Sequence, residues 1–152
     1  MEDIWNITAL VVSVLSVLLS LYALRQATTK NTSDMYLFFI SQYAKEDMKL
    51  ALRKLKDIKR GVYRLEQWES DMKNNLPKAF EYDEARRLVK YFYDTLAYMK
   101  LEKLIEARFV RLICLKKGAW LYLDTVEAME KFFDSGYDKK PYAVIRDVCE
   151  NL

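Results

Sequence analysis

The chain has 152 residues, 52% of them hydrophobic and 31% charged, with a formal net charge of +3 and no histidine, which excludes triads and proton relays built on imidazole near neutral pH. Its three glycines, Gly61, Gly118 and Gly136, are far apart, so no glycine-rich loop can cradle a phosphate. Cys114 and Cys149 are the only thiols and lack the CxxC spacing or imidazole partners of a zinc set, so neither cofactor nor metal is expected.

Residues 4 to 24 form 21 positions without a charge, about 31 Å of α-helix, which matches a hydrocarbon core roughly 30 Å thick. Glu2 and Asp3 precede the stretch and Arg25 follows it, the flanks of an uncleaved anchor rather than of a secretory signal. Cations at the C-terminal flank predict a single-pass protein of the cell membrane, N-terminus outside and the remainder cytoplasmic. Trp5 and Tyr22 occupy the two ends, where amphipathic rings favour the headgroup level. Ala9, Ser13, Ser16 and Ser20 recur at steps of four, three and four, a candidate face for packing on another membrane helix. The plainer alternative is serine bonded back to its own helix.

Residues 25–33 read as a polar linker or frayed helix end, with Thr32 or Ser33 able to cap the next helix. From Asp34 to about Lys59 the apolar positions Leu37, Ile40, Ala44, Met48, Ala51, Leu55 and Ile58 step by three and four, predicting one long amphipathic helix. Lys45, Lys49, Arg53, Lys56, Arg60 and Arg64 form a second stripe roughly opposite. Between residues 45 and 64 there are eight cations and three acids, whereas residues 65 to 152 carry a net charge of −1. The positive charge is local, and it fits a solvated helix face, an acidic partner surface or anionic lipid headgroups. Nucleic acid is not expected, because stacking aromatics do not alternate with these cations.

A short helix is expected over Leu65 to Lys73, ended by Asn74, Asn75 and Pro77. Asp83 is expected to cap a helix reaching about Lys100, with Ala85, Leu88, Val89, Phe92, Leu96 and Met99 inward and Arg86, Arg87 and Lys90 outward. Further helices are expected over Leu104 to Leu115 and Trp120 to Asp134, with Gly118 turning the chain and Gly136 as a C-terminal cap. Pro141 opens a last helix through Cys149. The fold class is all-α: one transmembrane helix, then a small cytoplasmic bundle of about five to six helices over residues 34–152. Tyr91, Phe92, Tyr93, Asp94, Thr95 and Tyr98 read as core with amphipathic tyrosines, the sharper reading being a pocket with one carboxylate. Cys114 and Cys149 read as buried reduced thiols.

The run Tyr82-Asp83-Glu84-Ala85-Arg86-Arg87-Leu88, continued by Tyr91-Phe92-Tyr93-Asp94-Thr95-Leu96-Ala97 and Lys103-Leu104-Ile105-Glu106, resembles an uncharacterised family of prokaryotic and phage single-pass membrane proteins. The likeness covers about half the chain. It departs at Asp94, where the family pattern has glutamate, and near Lys100, where it has glycine. The resemblance implies an N-terminal anchor with a helical cytoplasmic domain, and carries over no catalytic residue.

These features favour a non-catalytic accessory or regulatory subunit docking on a larger membrane protein complex. One specific candidate is the sodium-pumping corrinoid methyltransferase complex of methanogenic archaea, which no residue here encodes. The alternative is a self-associating membrane effector or sensor, for example in phage defence, with a homo-oligomer as its working form. An enzyme would have to use groups such as Asp94 with Tyr98, or Cys114 as a nucleophile, and no spacing pairs them.

Overall fold

In the computed structural model the backbone is described for residues 2–134 and 136–151, and side chains for 15–24, 26, 30, 33–134 and 136–151. Among the described residues every regular element is helical. The chain divides into two compact units, Met1–Met35 and Tyr36–Leu152.

The first unit is formed by α1, which spans Glu2–Ala44 and whose last residues belong to the second unit. Among the described residues no helix is long and apolar enough to cross a membrane. That corrects the expected span over residues 4–24, and with it the single-pass placement in the cell membrane. The apolar run with described side chains covers residues 15–24, only about 15 Å of helix against a hydrocarbon thickness of roughly 30 Å. The side chains of residues 4–14 lie outside the described set. Residues 25–33 continue the helix, so the expected cap at Thr32 or Ser33 falls inside α1.

The second unit corrects the expected continuous helix over residues 34–59. α1 ends at Ala44, Lys45 is extended (φ −60°, ψ 148°), and α2 runs Glu46–Lys59. Glu46 and Asp47 occupy the new first turn, where carboxylates favour the exposed amides and the positive end of the helix dipole. The break shifts the phase of the apolar stripe: Leu37 is exposed, Phe39 is buried in its stead, and Met48, Ala51, Leu55 and Ile58 form the buried face of α2.

α3 spans Leu65–Lys73 as expected, and Asn75 takes a left-handed turn (φ +56°) before Pro77 opens α4, Pro77–Leu101. Proline suits a first helical position because its missing N–H would have no partner there. α4 is the hub, packing against α2, α3 and α8. Burial on several sides explains the next correction: Asp83 is no cap but lies mid-helix, buried together with Arg86, which was expected to face outward. Arg86 Nε donates to Asp83 at 2.7 Å and its guanidinium also pairs with Glu130. Arg87 joins Asp83 from the solvent side at 2.6 Å.

α5 (Ala107–Cys114) and α6 (Gly118–Leu121) come next in the chain. A π-helical turn over Tyr122–Val126 then leads into α7, Glu127–Phe133. The expected helix over residues 120–134 is thus one run interrupted by a single π turn, the form in which π-helix usually occurs inside α-helices. The N–H of Gly136, the expected C-terminal cap, is held by Asp134 Oδ1 at 2.7 Å. α8 spans Lys140–Glu150 with Pro141 in its first turn.

The core is rich in aromatics. Trp68 is fully buried with its indole N–H donated to the Ala79 carbonyl at 3.1 Å, which satisfies the one polar atom such a ring brings inside. Tyr93, Tyr122 and Tyr142 stack in series at centroid distances of 5.1 and 4.4 Å.

Candidate docking groove

α2 and α6 enclose a groove of about 700 Å³, within the rough range of 300–1,000 Å³ typical of ligand pockets. Leu52, Trp120 and Leu121 give it apolar walls, and six cations surround them: Lys49, Arg53, Lys56, Lys59 and Arg60 from α2 and its C-terminal cap, and Lys117 from the turn before α6. Among the described residues no acid lines it.

The geometry follows from helical periodicity. With Met48, Ala51, Leu55 and Ile58 committed to the core, positions 49, 53, 56 and 60 fall on the opposite side at i, i+4, i+7 and i+11. Like charges at i, i+4 destabilise a helix by about 0.2–0.5 kcal/mol per pair. Lys49–Arg53 and Lys56–Arg60 are two such pairs. Partial relief comes from Lys49 with Glu46 at 3.4 Å and from Lys59 with Asp124 of the π-helical turn. Arg53, Lys56, Arg60 and Lys117 have no ion pair among the described residues.

The floor is set by Gly118. Its N–H donates to the Tyr43 hydroxyl at 3.3 Å, and a Cβ at this position would lie 2.8 Å from Tyr93 Oη, 2.9 Å from Tyr43 Oη and 3.1 Å from Leu52 Cδ2. Only glycine lets the start of α6 approach the two phenols so closely. Burial raises the pKa of Tyr43, while the Gly118 contact opposes that shift. Tyr93, more deeply buried and beside Tyr43, is pushed well above the ordinary tyrosine range. Both phenols are therefore protonated near neutral pH.

Of the six cations singled out from sequence, the fold brings Lys49, Arg53, Lys56 and Arg60 together at this groove. Lys45 instead borders a second cavity of about 300 Å³ with Phe38, Phe39 and Tyr91, and Arg64 stands exposed ahead of α3. Sequence reasoning missed Lys59, Lys117, Trp120 and the role of Gly118. The adjacent Lys116-Lys117-Gly118-Ala119-Trp120 was a signal, but its position against α2 is a tertiary fact. In the serine stripe, Ser20 donates to the Ser16 carbonyl at 2.8 Å; the side chains of Ala9 and Ser13 lie outside the described residues.

The residues weighed for catalysis are dispersed. Asp94 accepts from Tyr122 Oη at 2.5 Å and pairs with Lys90. Tyr98 instead bonds Asp138. Cys114 is buried and its thiol is pushed far above its usual range, first by burial and then by Cys149, the opposite of what an activated nucleophile needs. Among the described residues no group of three Cys, Asp or Glu converges as a metal-ligand set. No known protein family, curated protein or solved structure matches this chain.

Proposed function

We propose that the chain is a non-catalytic accessory or regulatory subunit that docks on an acidic partner protein through the groove between α2 and α6. The observation that carries this reading is the convergence of six cations around apolar walls, with no lining acid among the described residues. A solvated face would have no use for such an arrangement, because clustered like charges cost helix stability. An oppositely charged surface removes that repulsion and steers association. The tyrosine and cysteine chemistry supports a passive role: Tyr98 bonds Asp138 rather than Asp94, Asp94 is taken up by Tyr122 and Lys90, and the thiols are held protonated.

A charge swap tests the reading. Partners captured with the native chain and lost with Arg53→Glu/Lys56→Glu are supporting only if reversing acidic residues on the captured partner restores binding. Retention of the same partners by the double variant contradicts docking at this groove. So does crosslinking that finds only copies of this chain.

A further inference from the structure

Resting on that docking reading, the geometry points to a specific occupant of the groove: an acidic peptide segment of the partner that carries a large apolar side chain, inserted between Leu52, Trp120 and Leu121 while its carboxylates meet the surrounding cations. Two features of the same cavity impose two requirements. Arg53, Lys56, Arg60 and Lys117 lack ion-pair partners among the described residues and line one concavity, so the occupant must bring several negative charges. The walls beneath are apolar, and Trp120 is 43% exposed, so the occupant must also bring apolar surface; otherwise that ring stays in water.

Three anionic classes differ in how they meet those requirements. Single-stranded nucleic acid supplies the charge but favours successive exposed aromatic platforms for its bases; of the two aromatics in this lining Trp120 is exposed, whereas Tyr43 is part-buried with its hydroxyl under Gly118. A membrane surface presents a plane of headgroups, which would touch the cations at the rim and leave the 700 Å³ below them unfilled. A peptide puts carboxylates and an apolar anchor on one short segment, the combination used when an amphipathic segment lies in a groove. Lys49, Arg53, Lys56 and Arg60 recur along α2 over 11 residue steps, about 16 Å, so more than one carboxylate can be met along the same edge.

The test is fluorescence anisotropy with the full 152-residue chain and four probes. They are a labelled glutamate-rich peptide carrying leucines, the same peptide with alanines for leucines, a single-stranded oligonucleotide of matched charge, and phosphatidylglycerol vesicles. The leucine peptide is expected to bind best, the alanine peptide about tenfold more weakly, as the loss of one buried leucine implies. Trp120→Ala should remove most of that difference, and Arg53→Glu/Lys56→Glu should weaken both peptides at least about tenfold. Melting followed by circular dichroism confirms that each variant is folded; Trp120 is a half-exposed position whose replacement spares the core. Equal binding of the two peptides overturns the apolar anchor and leaves the docking reading standing. Tighter binding of the oligonucleotide or the vesicles overturns the peptide assignment. If no acidic probe binds and charge reversal changes nothing, both fall together.

Discussion

The backbone N–H of Gly118 points at the hydroxyl of Tyr43, 3.3 Å away, and this single contact ties the start of α6 to the end of α1 beneath the basic groove. Tyr43 comes from the segment just before the break at Lys45 and the lining cations Lys49, Arg53, Lys56, Lys59 and Arg60 from the segment after it, so the floor and the basic edge of the groove are supplied from either side of that break. A methyl group at position 118 would press on both Tyr43 and Tyr93. Gly118→Ala is therefore expected to cost about 1–3 kcal/mol, the range for overpacking a filled site, read as a lower midpoint in urea unfolding. Tyr43→Phe removes the hydroxyl that accepts from Gly118 without adding bulk and should cost about 1 kcal/mol. A Gly118→Ala protein as stable as the parent would show that the floor is not packed as described.

The cation cluster should behave oppositely. If it exists for binding, it is kept at a cost to the fold, and neutral replacements should stabilise the free protein. Arg53→Gln and Lys56→Gln are each expected to raise stability by roughly 0.2–0.5 kcal/mol, with the gain vanishing at high salt. Thermal melts at low and high ionic strength check this. Destabilisation at low salt would mean that these side chains hold the fold together.

Arg86 is the other kind of cation, one whose charge is buried. It lies between Asp83 and Glu130 and over the ring of Phe133 at 4.7 Å. Removing one partner of a buried ionic cluster leaves carboxylates without compensation, typically at about 3–5 kcal/mol. Arg86→Ala should show that loss in denaturant titrations, while Arg87→Ala, exposed and on the rim of the same cluster, should cost about 1 kcal/mol or less. Similar effects for the two would contradict the difference in burial.

The tyrosine core predicts a stability limit at high pH. Burial raises the pKa of Tyr137 to about 12, and that of Tyr63, Tyr93, Tyr122 and Tyr142 further, with nearby carboxylates such as Asp94 at Tyr122 adding to the shift. In the unfolded chain these phenols ionise near pH 10. Above that pH the unfolded state binds fewer protons than the native one, so stability falls as pH rises. The contribution is complete below about pH 10 and is lost progressively as pH climbs towards the folded values. The phenolate absorbance of these five buried tyrosines, as distinct from that of exposed rings such as Tyr91, should consequently appear together with loss of helical circular dichroism, and not before it. Ionisation of these buried tyrosines in a fully helical protein would refute the stacked core.

The sequence made the helices legible wherever one face was apolar and the other charged. α3 matches its expected bounds because polar turn residues and Pro77 mark its end, and α8 is announced by Pro141. Reading failed where tertiary burial overrode pattern. Asp83 looked like a cap because acids favour helix starts, yet α4 begins at Pro77 and is covered on enough sides to bury Asp83 with its arginine partner. The break at Lys45 carries no proline, glycine or side-chain cap, so nothing local announced it. Four of the six candidate cations reached one site because 3.6-residue periodicity dictates their face. Lys59, Lys117 and Trp120 could not be assigned to it without knowing that α6 packs on α2. The apolar N-terminal stretch misled through its length, since the described part of α1 supplies no span of membrane-crossing length.

The most direct test of the central claim is an amide NMR titration of the native chain with a glutamate-rich peptide carrying leucines. Docking in the groove should produce chemical-shift changes concentrated at Arg53, Lys56, Gly118 and the Trp120 indole, with the Gly118 amide reporting through its bond to Tyr43. Changes centred elsewhere, or an unperturbed α2 and α6 at saturating peptide, would contradict it.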